Sequence, residues 1–278
     1  MKVTSRSDIP AIRVLRGVSA ALLALCAACG GGSSSSTPTS PAPTTPVSSA
    51  CGALGPSGSA SIAIVNGVQC STTNTPVVLL NLKDGTGQPI GSCSGTIIAP
   101  RAILTAAHCL PADTVSIKVF LGTGPEIVAK SFARHPNYRE SDNTTLDVGV
   151  VLMADDLGRT PMPVLLSRDA RVGETAVIAG WGNDQNQTGA TLRAGSAIIT
   201  VVSSLTLQTQ YTTNASSVCQ GDSGGPLLLS EGGGWAIGGI VSANSTLACS
   251  FGANFYANVR NADINSFILS RVPDAARR

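Results

Sequence analysis

Between residues 76 and 260 the chain is cut into ten short runs rich in branched side chains: PVVLLNL (76–82), CSGTIIA (93–99), AILTA (102–106), VSIKVFL (115–121), LDVGVVLM (146–153), TAVIAG (175–180), GSAIITVV (195–202), LTLQTQ (205–210), WAIGGIVS (235–242) and NFYANVR (254–260). Turn sequences such as KDGTG and EGGGW separate them. Runs of this length and spacing predict the strands of an all-β sandwich or barrel. Only the tail departs from the pattern. In NADINSFILSRV, Ile264, Phe267, Ile268 and Val272 fall on one face at helical spacing, with Asn261 placed to cap the first turn. A chain of 278 residues, 43% of them apolar, can bury one large core or two modest ones, and it contains no internal repeat.

The N-terminus is of another kind. Four of the 18 basic residues (Lys2, Arg6, Arg13, Arg16) and one of the 16 acidic ones (Asp8) precede Val18, which leaves 14 basic against 15 acidic residues in the remainder. No basic face for nucleic acid is indicated. The early charges lead into VSAALLALCAA. That run falls short of the roughly 20 residues needed to span a bilayer and fits an export signal, taken here as residues 1–28. CGGGSSSSTPTSPAPTTP follows, a tract unable to form a core that behaves as a tether; residues 29–63 are read as linker and possible propeptide. Leu-x-Ala-Ala-Cys-Gly-Gly-Gly followed by serines resembles a bacterial lipoprotein signal with Cys29 as the acylated residue, although Cys26 stands where such signals usually carry leucine. The expectation is an exported protein anchored to a membrane through Cys29, in the outer membrane, with plain secretion or a periplasmic location as the alternative. Export makes disulfides the default for the six cysteines beyond the leader, and spacing alone does not choose among their pairings. With no C-x-x-C pair left in the mature chain, neither metal nor other cofactor is expected.

CQGDSGGP (219–226) is the stretch most suggestive of chemistry. Alone it is ordinary turn vocabulary, and its match to G-x-S-x-G is short. A serine becomes nucleophilic only beside a base, and the chain has two histidines. His135, in ARHPNY, reads as part of an exposed loop; His108, in ILTAAHCL, directly follows an apolar strand, a rigid position that suits a base better. A lone histidine there would otherwise be a satisfied core residue. Most acids sit among polar neighbours. Asp147, inside LDVGVVLM, is the exception, and burying its charge would require a donor; the competing reading is a strand-end aspartate facing water. Because no histidine follows Ser223, the order Ser, acid, His is excluded, and the order Asp, His, Ser would have to use Asp84 in the turn KDGTG. His108, Asp147, Ser223 fits the remaining order.

From Ile64 to about Val272, some three quarters of its length, the chain resembles the trypsin/chymotrypsin family of serine endopeptidases. TAAHC carries His108, LDVGVV Asp147 and GDSGGP Ser223, while IVNG (64–67), HPNY (135–138) and AGWG (179–182) match at the same points in the order. The resemblance implies two six-stranded antiparallel β-barrels over residues 64–278, a short C-terminal α-helix, and a site in the cleft between the barrels. It implies Ser223 as nucleophile, His108 as general base and Asp147 as its orienting acid. The oxyanion would be bound by the N–H groups of Gly221 and Ser223. It implies the disulfides Cys93–Cys109 and Cys219–Cys249. Cys51 and Cys70 are then left, and their pairing would keep the segment before Ile64 attached after a cut, as in chymotrypsin-like zymogens.

In the family the ammonium freed by such a cut, here between Ala63 and Ile64, inserts against the aspartate before the serine, here Asp222; Ala63 is not the Arg or Lys of a trypsin-activated precursor. The alternative is an enzyme active uncut. Ser217 stands at the family's pocket floor, without the aspartate that selects Arg and Lys, and Asn244 and Asn254 stand where wall glycines are common. Small or uncharged side chains are therefore the expected preference, in peptide or protein substrates met by a monomer. A protease fold used only for binding, and an esterase working through the same site, are the competing readings.

Overall fold

A computed structural model describes residues 48–55, 64–141, 146–184, 186, 189–246 and 248–278. The leader, Cys29 and most of the tether lie outside the described residues. Within the stretch taken as linker, Ser48–Gly52 forms a short helix, α1. Ala50, Cys51, Ala53 and Leu54 bury against the domain, and Cys51 is bonded to Cys70.

Fourteen strands follow among the described residues: β1 (Val68–Gln69), β2 (Val77–Lys83), β3 (Pro89–Ala99), β4 (Ala102–Thr105), β5 (Ser116–Phe120), β6 (Ile127–Val128), β7 (Ser131–Arg134), β8 (Gly149–Leu152), β9 (Thr175–Gly180), β10 (Arg193–Val202), β11 (Thr206–Gln210), β12 (Pro226–Glu231), β13 (Gly234–Asn244) and β14 (Ala253–Asn258). All their pairings are antiparallel, and they form two sheets. In the second, β9 pairs with both β12 and β10, so six strands close in the order β10-β11-β14-β13-β12-β9, and β1 adds itself to β10. Closure removes the unpaired backbone edge that an open sheet would present. The first sheet, β6-β5-β2-β3-β4-β8-β7, curls as a half-barrel without a pairing between its end strands among the described residues.

Strands buried on both faces read as continuous apolar runs, and those with one wet face alternate. VVLL of β2 is buried throughout between β3 and β5. The outer half of β10 alternates instead, with Ala197 and Ile199 in the core and Ile198 and Val201 outside.

The tail closes the chain as a helix, α2 (Ala262–Arg271). The Asn261 side chain accepts from the N–H groups of Asp263 and Ile264, which satisfies two otherwise orphaned donors. Asp263 in the first turn and Arg271 in the last complement the helix dipole. Ile264, Phe267, Ile268 and Val272 are all buried, as their spacing predicts. One sequence expectation fails here. Pro136 and Asn137 are exposed as expected of a turn, but His135 is buried, its ring 5.2 Å from that of Phe267 on α2. Local turn residues carry no information about a helix arriving from far along the chain. Burial holds the His135 imidazole below its ordinary pKa, the nearby Asp263 acting in the opposite direction.

Candidate active site

β4 is wholly buried and delivers Ala106 and Ala107 into the core, so that His108 stands on a single 3-10 turn (Ala107–Cys109) with a partly open side chain. Opposite it, Asp147 is fully buried. It precedes β8 rather than lying within it, and the residue before it, Leu146, is held at φ 52°, a left-handed conformation costly for leucine. A buried carboxylate needs donors, and three converge on this one. Oδ1 accepts from the His108 backbone N–H at 2.9 Å, while Oδ2 accepts from the His108 ring Nδ1 at 2.7 Å and from the Ser242 hydroxyl at 2.6 Å. With Nδ1 donating to the carboxylate, Nε2 is left as the basic nitrogen. The Cys93–Cys109 disulfide ties β3 to this turn. Cys93, His108 and Cys109 are the one His/Cys/Asp/Glu grouping among the described residues close enough to share a metal, but the two sulfurs are bonded to each other.

Ser223 occupies a turn held on both sides. Its carbonyl accepts from Ser94 N–H at 2.8 Å, and the Gly224 N–H donates to Val241. Gly221 has φ 91° and Gly224 φ 80°, conformations that favour glycine. Ser94 of β3 does more: its hydroxyl donates to the Gly221 carbonyl at 2.8 Å and accepts from the Trp181 N–H at 2.9 Å. Neither the Gly221 nor the Ser223 N–H is engaged by an acceptor among the described residues. His108 and Ser223 line one cavity of about 330 Å³, and no direct hydrogen bond joins their side chains.

Asp222 is buried completely beneath this turn, in a cradle made by Gly180 and Gly182. Its Oδ1 accepts from Gly182 N–H at 2.8 Å and its Oδ2 from Cys219 N–H at 2.9 Å. Burial pushes its pKa from 3.8 up to about 7, against the pull of the two backbone donors and of Arg193. Ile64 is buried too, among Leu165, Val218, Val241 and Tyr256, and no ion pair to Asp222 is found among the described residues. In the unbroken chain the Ile64 nitrogen is an amide. Because Asp222 holds its proton more tightly folded than unfolded, its contribution to stability is present below about pH 4 and is lost as pH rises towards 7. The intact Asp222→Asn variant is expected to show a flatter melting temperature than the parent across that window. Parallel melting curves would remove this account.

The Cys219–Cys249 disulfide forms part of the cavity wall, together with Val218, Gln220, Ala243 and Asn244. Ser217 and Asn254 lie fully buried behind that lining. Asn254 Oδ1 accepts from the Ser217 hydroxyl at 3.0 Å and from Asn244 Nδ2 at 2.9 Å, and Asn254 Nδ2 donates to Thr209 Oγ1 at 3.1 Å. Tyr256 hydrogen-bonds the same Thr209 hydroxyl, and its burial raises the phenol well above its ordinary pKa. The three residues expected at the pocket are thus one neutral network. Ser242, Ser94 and Thr209 join the site without having been singled out from sequence, while the cradle glycines belong to AGWG (179–182).

The closed barrel, the half-barrel and the C-terminal helix form a trypsin-like fold, and the family model described as Trypsin matches residues 64–268. The chain belongs to the trypsin family of serine endopeptidases. It is 31% identical to a chymotrypsin of Phaedon cochleariae, over 67% of this chain and 75% of that protein. Against a trypsin beta of Drosophila erecta it is 27% identical, over 74% of this chain and 87% of that one, and against a trypsin of Saccharopolyspora erythraea 30%, over 50% and 71%. Among solved structures, an HL collagenase superposes with a TM-score of 0.64 over 75% of this chain and 98% of its own, at 21% identity, a likeness of fold.

Proposed function

We propose that the protein hydrolyses peptide bonds through an acyl-enzyme, with Ser223, His108 and Asp147 as its triad. Ser223 Oγ attacks the carbonyl carbon while His108 Nε2 takes the hydroxyl proton, and the same nitrogen returns it to the departing amine. Water, deprotonated by His108, then releases the acyl group. The N–H groups of Gly221 and Ser223 stabilise the oxyanion. The observation that carries the reading is the convergence of three donors on buried Asp147, one of them His108 Nδ1, in a histidine that shares a cavity with Ser223.

The neutral Ser217–Asn254–Asn244 network supports a preference for small or uncharged side chains at the cleaved bond, since it offers no counter-charge to Arg or Lys. Export by a leader of residues 1–28, a tether ending at residue 63 and acylation at Cys29 complete the proposal. N-terminal mass analysis of the mature protein tests them together. For the chemistry, a fluorophosphonate reagent is expected to label Ser223 in the folded protein and to fail on the denatured chain, and a peptide library to be cut after Ala, Ser or Val. Absence of labelling, or strong cleavage after Arg or Lys, would overturn the corresponding half of the proposal.

A further inference from the structure

We propose that Thr209, which lies behind the cavity rather than on it, is a positioning residue for substrate selection. Its hydroxyl fixes the Asn254 amide and, through it, holds Asn244 as a closed wall between the cavity and Ser217. The inference rests on the hydrolytic reading of Ser223 and on the pocket assigned to Ser217, Asn244 and Asn254, and it says what keeps that pocket shut.

Strand register lays these residues in a row. In the closed barrel β14 runs between β11 and β13, and Asn254 is the direct partner of Thr209 on one side and of Asn244 on the other. Directly opposed residues share one face of a sheet, so the three side chains meet in line. Thr209 and Asn254 are fully buried, while Asn244 lines the cavity. Thr209 is itself held from beyond the row, by the Tyr256 hydroxyl at 3.0 Å.

The polarity of the row is settled at its outer end. Asn244 Oδ1 accepts from the backbone N–H of Thr246 at 2.9 Å, a group that can only donate. The Asn244 Nδ2 is thereby turned inward, to Asn254 Oδ1 at 2.9 Å, which also accepts from the Ser217 hydroxyl at 3.0 Å. Were Asn254 reversed, two NH₂ groups would face each other. Asn254 therefore presents its own NH₂ to Thr209, whose Oγ1 accepts at 3.1 Å and is its one acceptor among the described residues. A buried amide N–H stripped of its acceptor is expensive, and relief comes by turning the group towards another. Once Asn254 turns, Asn244 loses the anchor of its Nδ2, and the wall in front of Ser217 gives way. The selectivity of the cavity then depends on a hydroxyl that no substrate reaches.

The test measures kcat/KM of the protein on two chromogenic peptides, one with alanine and one with leucine at the cleaved bond, with fluorophosphonate labelling of Ser223 as the check on the site itself. Thr209→Val keeps the shape and removes the acceptor. Its ratio of alanine to leucine cleavage is expected to fall roughly tenfold, the scale on which an apolar pocket counts a methylene, through a lower KM for leucine more than through kcat. Thr209→Ser, which keeps the hydroxyl, should retain the parent ratio. In an Asn254→Ala background Thr209→Val should move the ratio no further, a coupling that a general loss of stability would not produce. Thr209→Ala carries the test if the valine variant does not fold. A ratio within twofold of the parent in a folded variant lacking the hydroxyl, or an equal fall with and without Asn254, would overturn the inference and leave the hydrolytic role of Ser223 standing. A parent that cleaves after leucine as readily as after alanine would remove the pocket assignment, and one that neither hydrolyses nor labels would remove the hydrolytic reading, each taking the inference with it.

Discussion

Asp147→Asn is expected to lower kcat by roughly 10⁴-fold, the cost of the same change in a trypsin-like triad, with folding preserved. The carboxylate accepts three donors: the His108 N–H, the His108 ring Nδ1–H and the Ser242 hydroxyl. An asparagine of the same shape has one acceptor oxygen and a donating NH₂. If the oxygen keeps the backbone N–H of His108, the amide hydrogens face the ring, and Nδ1 must meet them with its lone pair. The ring proton then sits on Nε2, and the nitrogen that should take the Ser223 proton is already occupied. Hydrolysis of a chromogenic peptide with alanine at the cleaved bond, read beside the thermal midpoint, separates this from unfolding. A loss under about tenfold in a folded variant would mean that Asp147 does not set the state of His108.

Gly182→Ala should cost about 10²–10³-fold in kcat with little change in KM, on the scale of a displaced oxyanion donor. A methyl group built on Gly182 would lie 2.5 Å from the Asp222 nitrogen and 2.6 Å from its Cγ. Neither can yield easily, because the first is backbone of the turn that carries Ser223 and the second belongs to a side chain pinned by two N–H groups. Relief has to come from moving the turn, and the Gly221 and Ser223 N–H groups move with it. Overpacking of this kind also destabilises by roughly 1–3 kcal/mol. Gly52→Ala on α1 is the control, since a methyl there meets nothing within 4 Å. Unchanged kcat in Gly182→Ala would show that the turn tolerates displacement.

The residues proposed for chemistry were legible because each is out of place in its surroundings. Asp147 is an acid among branched apolar residues, His108 ends a buried strand, and Ser223 sits among glycines that no ordinary strand would carry. Ser242 was not legible, because a serine closing WAIGGIVS looks like any strand residue until the chain brings Asp147 to it from 95 positions away. Arg193 could have been found by the argument applied to Asp147: a cation in TLRAGSAII, flanked by apolar and small residues, also calls for a partner. In the fold, the strands missed are those without a run to reveal them. β1 and β6 have two residues each, β7 is SFAR, and β12 (PLLLSE) follows so directly on GDSGG that it reads as an extension of the turn. Closure of the second barrel rests on β9 pairing with both β10 and β12, a long-range register that no local pattern encodes.

Ser94 belongs to the half-barrel, yet its hydroxyl is bonded at once to Trp181 and Gly221 of the other lobe, and its N–H to Ser223 itself. Any hinge motion that widened the cleft would first have to break these three links, at the turn that carries Ser223. The earliest separation of the lobes on heating should therefore silence the enzyme before the strands themselves come apart.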